Sequence, residues 1–215
     1  MRSGCSKRRD GAPRRLPAEP AAPSLLEDPP DDLKGFPRYR LRRGAVIHRN
    51  HPAARGPWWF NDGGEGRFDL SGGRGTCYLA AKPVGGLLEA FKGHRAITEE
   101  VLARRAEFSV KLRRELTLAN CCVVRAAQFG MNAEVHTTSD YAKTQRWAAA
   151  LATAGFDGIR YFLRSDPSLK LIGYALFGDA GEARAGAWPP GSTSPVSART
   201  VREASGYGLK VLPTP

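Results

Sequence analysis

Arg49, Arg67, Tyr78 and Glu89 are the residues of this chain whose types could do chemistry together. They fall within residues 48–91, about a fifth of the protein, together with Trp58, Trp59, Phe60, His48, His51 and many glycines. Two Arg can grip a pyrophosphate through charge-assisted hydrogen bonds. A Tyr ring can stack on a base or on a cationic nicotinamide. One carboxylate can stabilise the positive charge that develops as an N-glycosidic bond breaks. Together these residues fit consumption of NAD as a substrate rather than its use as a redox carrier. Each also has an ordinary role. The arginines could be surface residues, Tyr78 could be core, and Glu89 lies off the apolar stripe of its helix, where a solvated Glu is the default.

Other familiar chemistries lack their residues. No GxxxxGK[ST] occurs, and Gly63, Gly64 and Gly66 do not fit GxGxxG between a strand and a helix. No GxSxG elbow and no HExxH occurs. His48, His51 and His94 have no accompanying Cys or carboxylate pattern, so no metal is expected. His48 reads as a hydrogen-bonded strand residue. Cys5, Cys77, Cys121 and Cys122 contain no CxxC pair, which excludes a disulfide framework and a zinc site and fits a reducing, cytoplasmic setting. The basic N-terminus has no apolar segment of the signal-peptide kind, and no run of about 18 apolar residues exists, so no membrane association is expected.

The formal net charge is +12, and Arg far outnumbers Lys. A planar guanidinium fork matches phosphate, so this balance favours anionic ligands. The cluster Lys7, Arg8, Arg9, Arg14 and Arg15 keeps a basic nucleic-acid-binding protein open as an alternative.

These residues need positioning elements. Residues 1–35, rich in Pro, Arg, Ala and acidic groups, read as a disordered extension, and residues 36–215 as the ordered domain. A strand is expected around residues 44–47, then a loop broken by His51-Pro52 and Gly56-Pro57. Residues 67–70 and 76–80 read as strands joined by a hairpin at residues 71–75. Pro83 opens a helix whose stripe is Val84, Leu87, Leu88 and Phe91. A second helix is expected over residues 97–105, strands within 107–118, and a short helix over 121–129. Residues 141–154 are the clearest helix, capped by Ser139 or Asp140 and stopped by Gly155. Strands follow at 158–163 and 169–177, then a loop at 179–195 and a closing strand at 209–212. Trp58, Trp59 and Phe60 are expected as packing or a pocket wall, and Gln145 and Trp147 as anchors of their helix. Helices and strands mix without regular alternation, which indicates an α+β domain.

The order HR, GRFD, CYLA, LLEAF, DGIRY, DPS and YALFG resembles the RES-domain family over roughly residues 37–213. The resemblance implies an ADP-ribosyltransferase-like domain with a mixed β-sheet core and flanking helices. It implies NAD degradation, by phosphorolysis, hydrolysis or ADP-ribosyl transfer, and a toxin role with a helical antitoxin as partner. Carried over, Arg49 is the family's first Arg, binding the NAD phosphates or ribose and serving the catalytic step. Arg67 is the second Arg, Tyr78 the aromatic near the nicotinamide or its ribose, and Glu89 the catalytic Glu. The family's Ser sits in a segment like RYxSR, which here is Arg160-Tyr161-Phe162-Leu163-Arg164. Leu163 takes the Ser position, and Ser165, two residues on and on the same face of a strand, is the substitute NAD contact. That departure makes a catalytically degenerate nucleotide- or partner-binding module the second alternative.

Overall fold

The computed structural model describes residues 25–214. Among these described residues twelve strands and five α-helices follow one another. β1 (Arg38–Leu41), β2 (Val46–Pro52), β3 (Trp59–Phe60) and β4 (Arg74–Ala80) precede α1 (Pro83–Ala90). β5 (Ala96–Thr98), α2 (Glu99–Ala103), β6 (Arg105–Lys111) and β7 (Leu116–Asn120) come next. A 3₁₀ turn (Val124–Phe129), α3 (Glu134–Thr137) and α4 (Tyr141–Thr153) lead to β8 (Gly158–Phe162) and β9 (Ile172–Asp179). β10 (Gly181–Glu182), β11 (Ser192–Pro195), α5 (Ala198–Ser205) and β12 (Lys210–Leu212) close the chain. Eight strands form one mixed sheet in the order β1-β7-β8-β9-β4-β2-β6-β11, parallel only between β7 and β8. The domain is therefore α+β, as the sequence indicates.

Strand alternation splits the core between the two faces of the sheet. Ile159, Tyr161, Ala175 and Phe177 share one face with Trp147, Ala148 and Leu151 of α4. Cys77, Leu79, Tyr174 and Leu176 share the other with Trp58, Phe60 and Phe108. α1 lies on the α4 side of the sheet, because Gly85 and Gly86 remove the side chains that would hold it off. A Cβ on Gly85 would meet Ala80 Cβ at 2.9 Å, and one on Gly86 would meet the Asn50 amide nitrogen at 3.2 Å. Val84, Leu87 and Leu88 of α1 then bury against Leu163, Leu171, Ala204 and Leu209.

Several expectations change. Residues 67–70 form no strand and 71–75 no hairpin, because the Asp69 carboxylate captures the Gly66 amide and holds the chain in a turn. The helix expected over 97–105 divides into β5, the short α2 and the first residue of β6. The 179–195 loop contains β10 and β11, and α5 is an additional helix whose N-cap is Ser197. The Asp140 side chain makes no capping bond on α4, whereas Gly155 does stop it, at φ +84°. Residues 25–35, read as part of the extension, pack on the domain: Leu26 is 0% exposed, and the Trp147 indole donates to the Glu27 carbonyl at 2.8 Å. The basic cluster at residues 7–15 lies outside the described residues. Among the described residues no helix is long and apolar enough to cross a membrane.

Candidate active site

A fork in the sheet makes the cleft. β2 and β4 pair only at His48↔Ala80. From there β2 follows β6 as far as Pro52↔Arg105, while β4 follows β9 to Arg74↔Asp179. The opening is walled by β2, the Tyr78 side of β4, the loop 61–67, the C-terminal turn of α1 and the start of α4. Its cavity volume is about 190 Å³, and it opens broadly to solvent. Arg49, Arg67, Tyr78, Glu89 and Ser165, the residues singled out in the sequence, all line it.

Each is held differently. Arg49 spans the fork, donating to the Pro57 carbonyl and to Cys77 Sγ at 2.9 Å. Arg67 is 6% exposed, donates to the His136 carbonyl, and leaves its Nε without a partner. Tyr78 donates to Asp69 Oδ1 at 2.8 Å and accepts the Phe68 amide at 2.8 Å, so its hydroxyl is committed and its half-buried ring faces the cleft. Burial first, then the Asp69 charge, push this phenol well above its ordinary range, so it stays protonated. Glu89 stands in the last turn of α1, seated there by the close approach of Gly85 and Gly86 to the sheet. Ser165 reaches the cleft from a turn rather than a strand, since β8 ends at Phe162. Leu163 is fully buried against α1, so the chain seats it as a core residue. His48 bonds Ser109 Oγ at 2.7 Å, as a hydrogen-bonded strand residue should. Trp58 and Phe60 pack with Trp188 on the far face of the sheet and do not wall the cleft. Gln145 holds the loop through the Gly64 and Gly66 carbonyls at 2.8 and 2.9 Å.

The structure adds residues the sequence did not single out. Asp69, 4% exposed, accepts Tyr78 Oη, the Gly66 amide and Asn61 Nδ2, and so sets the loop against the ring. Gly66 must lack a Cβ, which would stand 2.3 Å from Asp69 Oδ1 and 2.5 Å from Tyr78 Oη. Arg105 donates to Asn50 Oδ1 at 2.7 Å and to the Asn50 carbonyl at 3.0 Å. These bonds fix the Asn50 amide and leave its Nδ2 buried and unpartnered. Burial, then the Arg49 charge, bring Arg105 down to about 10, still fully cationic at neutral pH. Its only signal in the sequence was Arg104-Arg105 before a strand, a pattern shared with many surface arginines. Five ion pairs occur among the described residues, and none includes Arg49, Arg67, Arg105, Arg164 or Lys92. The cleft is thus lined by cations without carboxylate partners and by buried donors without acceptors, facing Glu65 and Glu89. Among the described residues no group of His, Cys, Asp and Glu could hold a metal ion.

His136 lies behind Arg67, and Phe162 donates its amide to His136 Nδ1 at 3.3 Å. Burial and then the Arg67 charge lower its imidazole from 6.5 to about 4. The folded value lies below the unfolded one, so between the two the unfolded chain binds more protons. Stability from this group is complete above about 6.5 and is lost as pH falls toward 4, by at most about 3 kcal/mol. Asp166, buried under hydrogen bonds from Ser168, Lys170 and Leu171, is held below the usual carboxylate range despite that burial, so its share is lost at still lower pH. The urea midpoint should therefore drop between pH 7 and pH 4.5, and His136→Gln should flatten that drop. A variant with the wild-type slope would show that other groups set it.

The comparisons with known proteins agree with this architecture. No curated protein matches the chain. Among solved structures it is similar to a chain of the M. tuberculosis MbcT–MbcA toxin–antitoxin complex, with a TM-score of 0.59 at 13% identity, covering 77% of this chain and 92% of that one. At that identity the likeness concerns the fold. Residues 39–193 match the family model of the RES domain, a span that runs from β1 into β11 and contains every residue of the cleft, so the chain belongs to the RES-domain family.

Proposed function

We propose that the protein is an NAD-consuming enzyme that cleaves the bond between nicotinamide and ribose. The observation that carries this reading is one cleft joining the Glu89 carboxylate to guanidinium groups that have no carboxylate partner and to buried donors without acceptors. Orphaned buried donors cost free energy unless a ligand satisfies them, and a pyrophosphate with two riboses offers many acceptors. In this reading Arg49 and Arg67 take the phosphates, the Tyr78 ring lies against the nicotinamide or its ribose, and Ser165 completes the rim. The C–N bond breaks with its electron pair leaving on nicotinamide, which departs neutral. Glu89 stabilises the cationic ribose, and an oxygen of phosphate, water or a protein acceptor captures it and loses its proton to solvent.

The related complex is described as a toxin with its antitoxin, and we extend this to a toxin role with a helical antitoxin as partner and a cytoplasmic place of action. Purified protein incubated with NAD should release nicotinamide, and varying phosphate identifies the acceptor. A folded protein that releases none under either condition would overturn the reading. The buried Leu163 supports one alternative, a degenerate member that binds NAD without turnover, and the same assay paired with NAD titration separates the two. Nucleic-acid binding would instead show affinity that falls steeply with salt and weakens on deletion of residues 1–24.

A further inference from the structure

Tyr161 of β8 is wholly buried, yet its hydroxyl makes no hydrogen bond. A row of small residues shows where that hydroxyl is aimed. In register Tyr161 lies opposite Gly173, and Gly173 lies opposite Ala80. A Cβ on Gly173 would stand 2.4 Å from Tyr161 Cζ and 2.8 Å from both Cε atoms. The ring therefore lies flat across β9, and its hydroxyl points on toward β4. Ala80 at that end is the residue against which Gly85 seats α1, and α1 carries Glu89 one turn further along. Phe68 closes the ring in, edge-on, with centroids 4.9 Å apart. Burial and then the facing Glu89 charge raise the phenol well above its ordinary range, with Arg67 opposing, so it is a donor and not a base.

We propose that Tyr161 is a positioning residue for Glu89: passing over Gly173, it donates its hydroxyl to the Glu89 carboxylate and fixes that carboxylate toward the bond being cleaved. This rests on the reading of Glu89 as the stabilising group. The hydroxyl and the Glu89 carboxylate already face each other in the structure, short of full hydrogen-bond geometry. An unpaired buried hydroxyl is destabilising, so its presence on a fully buried ring is better explained by a role than by packing.

Tyr161→Phe keeps the ring and removes only the donor. Its melting temperature should stay close to that of the wild type, because the buried ring that fills the core is kept. Its kcat should fall about tenfold or more with KM within about twofold, as removal of a charge-assisted bond predicts. A carboxylate losing a donor becomes harder to ionise, so the acid limb of the kcat profile should move to higher pH. Gly173→Ala, which pushes the ring aside, should reproduce the kcat loss with a lower melting temperature. Wild-type kcat and acid limb in Tyr161→Phe would overturn the proposal. Should the wild type cleave no NAD, the functional reading fails, and ¹³C NMR titration of Glu89 still decides this one. An upward shift in Tyr161→Phe supports the contact, and an unmoved titration overturns it.

Discussion

Glu89→Gln is expected to slow nicotinamide release by about 100-fold or more while leaving the protein at least as stable. The rate argument is electrostatic. A preorganised charge aimed at a developing opposite charge typically accounts for about two to three orders of magnitude, and an amide of the same shape keeps the contact but loses the charge. The stability argument comes from the helix. Glu89 sits in the final turn of α1, which carries no basic residue there. A carboxylate at a helix C-terminus opposes the macrodipole, at a cost of about 0.3–1 kcal/mol. The chain tolerates a charge where the fold disfavours it, which is the mark of a residue kept for the site. Single-turnover nicotinamide release and thermal denaturation measured on the same preparation test both halves. A variant that retains more than about a tenth of wild-type activity would remove Glu89 from the central role.

The sequence made α1 and its Glu legible for a simple reason: Pro83 and the spacing of Val84, Leu87 and Leu88 are local signals, and they place residue 89 off the buried stripe. Tyr78 was equally legible, in a strand whose neighbours Cys77 and Leu79 face the opposite core. Arg67 was found through its motif, although the local alternation around it suggested a strand and the Asp69 side chain makes a turn. Asp69, Arg105, Asn50 and Tyr161 acquire their roles only through pairings 9 to 55 residues apart or across the sheet register. Nothing in the local sequence separates Arg105 from the exposed Arg104 beside it. The extension was misjudged at its last residues because Leu25-Leu26 is a short apolar pair. Leu26 earns burial only against α4 and its surroundings, which composition cannot reveal. Leu163 is informative in the same way: as a residue type it reads as a lost Ser, and in place it is a contact of α1.

Asp69→Ala should lower both stability and substrate affinity, and by more than any single cleft arginine changes stability. Three donors converge on this carboxylate: Tyr78 Oη at 2.8 Å, the Gly66 amide at 2.8 Å and Asn61 Nδ2. Alanine leaves all three facing a small void. A buried donor that loses its acceptor costs about 1–3 kcal/mol, and more when the acceptor was charged, so a loss of about 3 kcal/mol or more is expected even without full additivity. For a domain of this length that corresponds to a fall in melting temperature of roughly 6–12 °C. The functional loss follows from geometry. Without Asp69 the Tyr78 ring is free to swing about its χ angles, and the loop carrying Gly66 and Arg67 keeps its bonds to Gln145, Thr144, Thr76, Lys92 and His136 but loses the carboxylate that ties it to the ring. KM for NAD should rise about tenfold or more, since ring and guanidinium must be ordered anew at each binding event. Tyr78→Phe separates the contributions. It deletes the hydroxyl, and with it the acceptor of the Phe68 amide, but leaves the Gly66 and Asn61 bonds intact, so it should loosen the ring more than the loop, with a smaller fall in melting temperature. Equal stability of Asp69→Ala and the wild type would show that the loop is held by other means, and the Tyr78 ring with it.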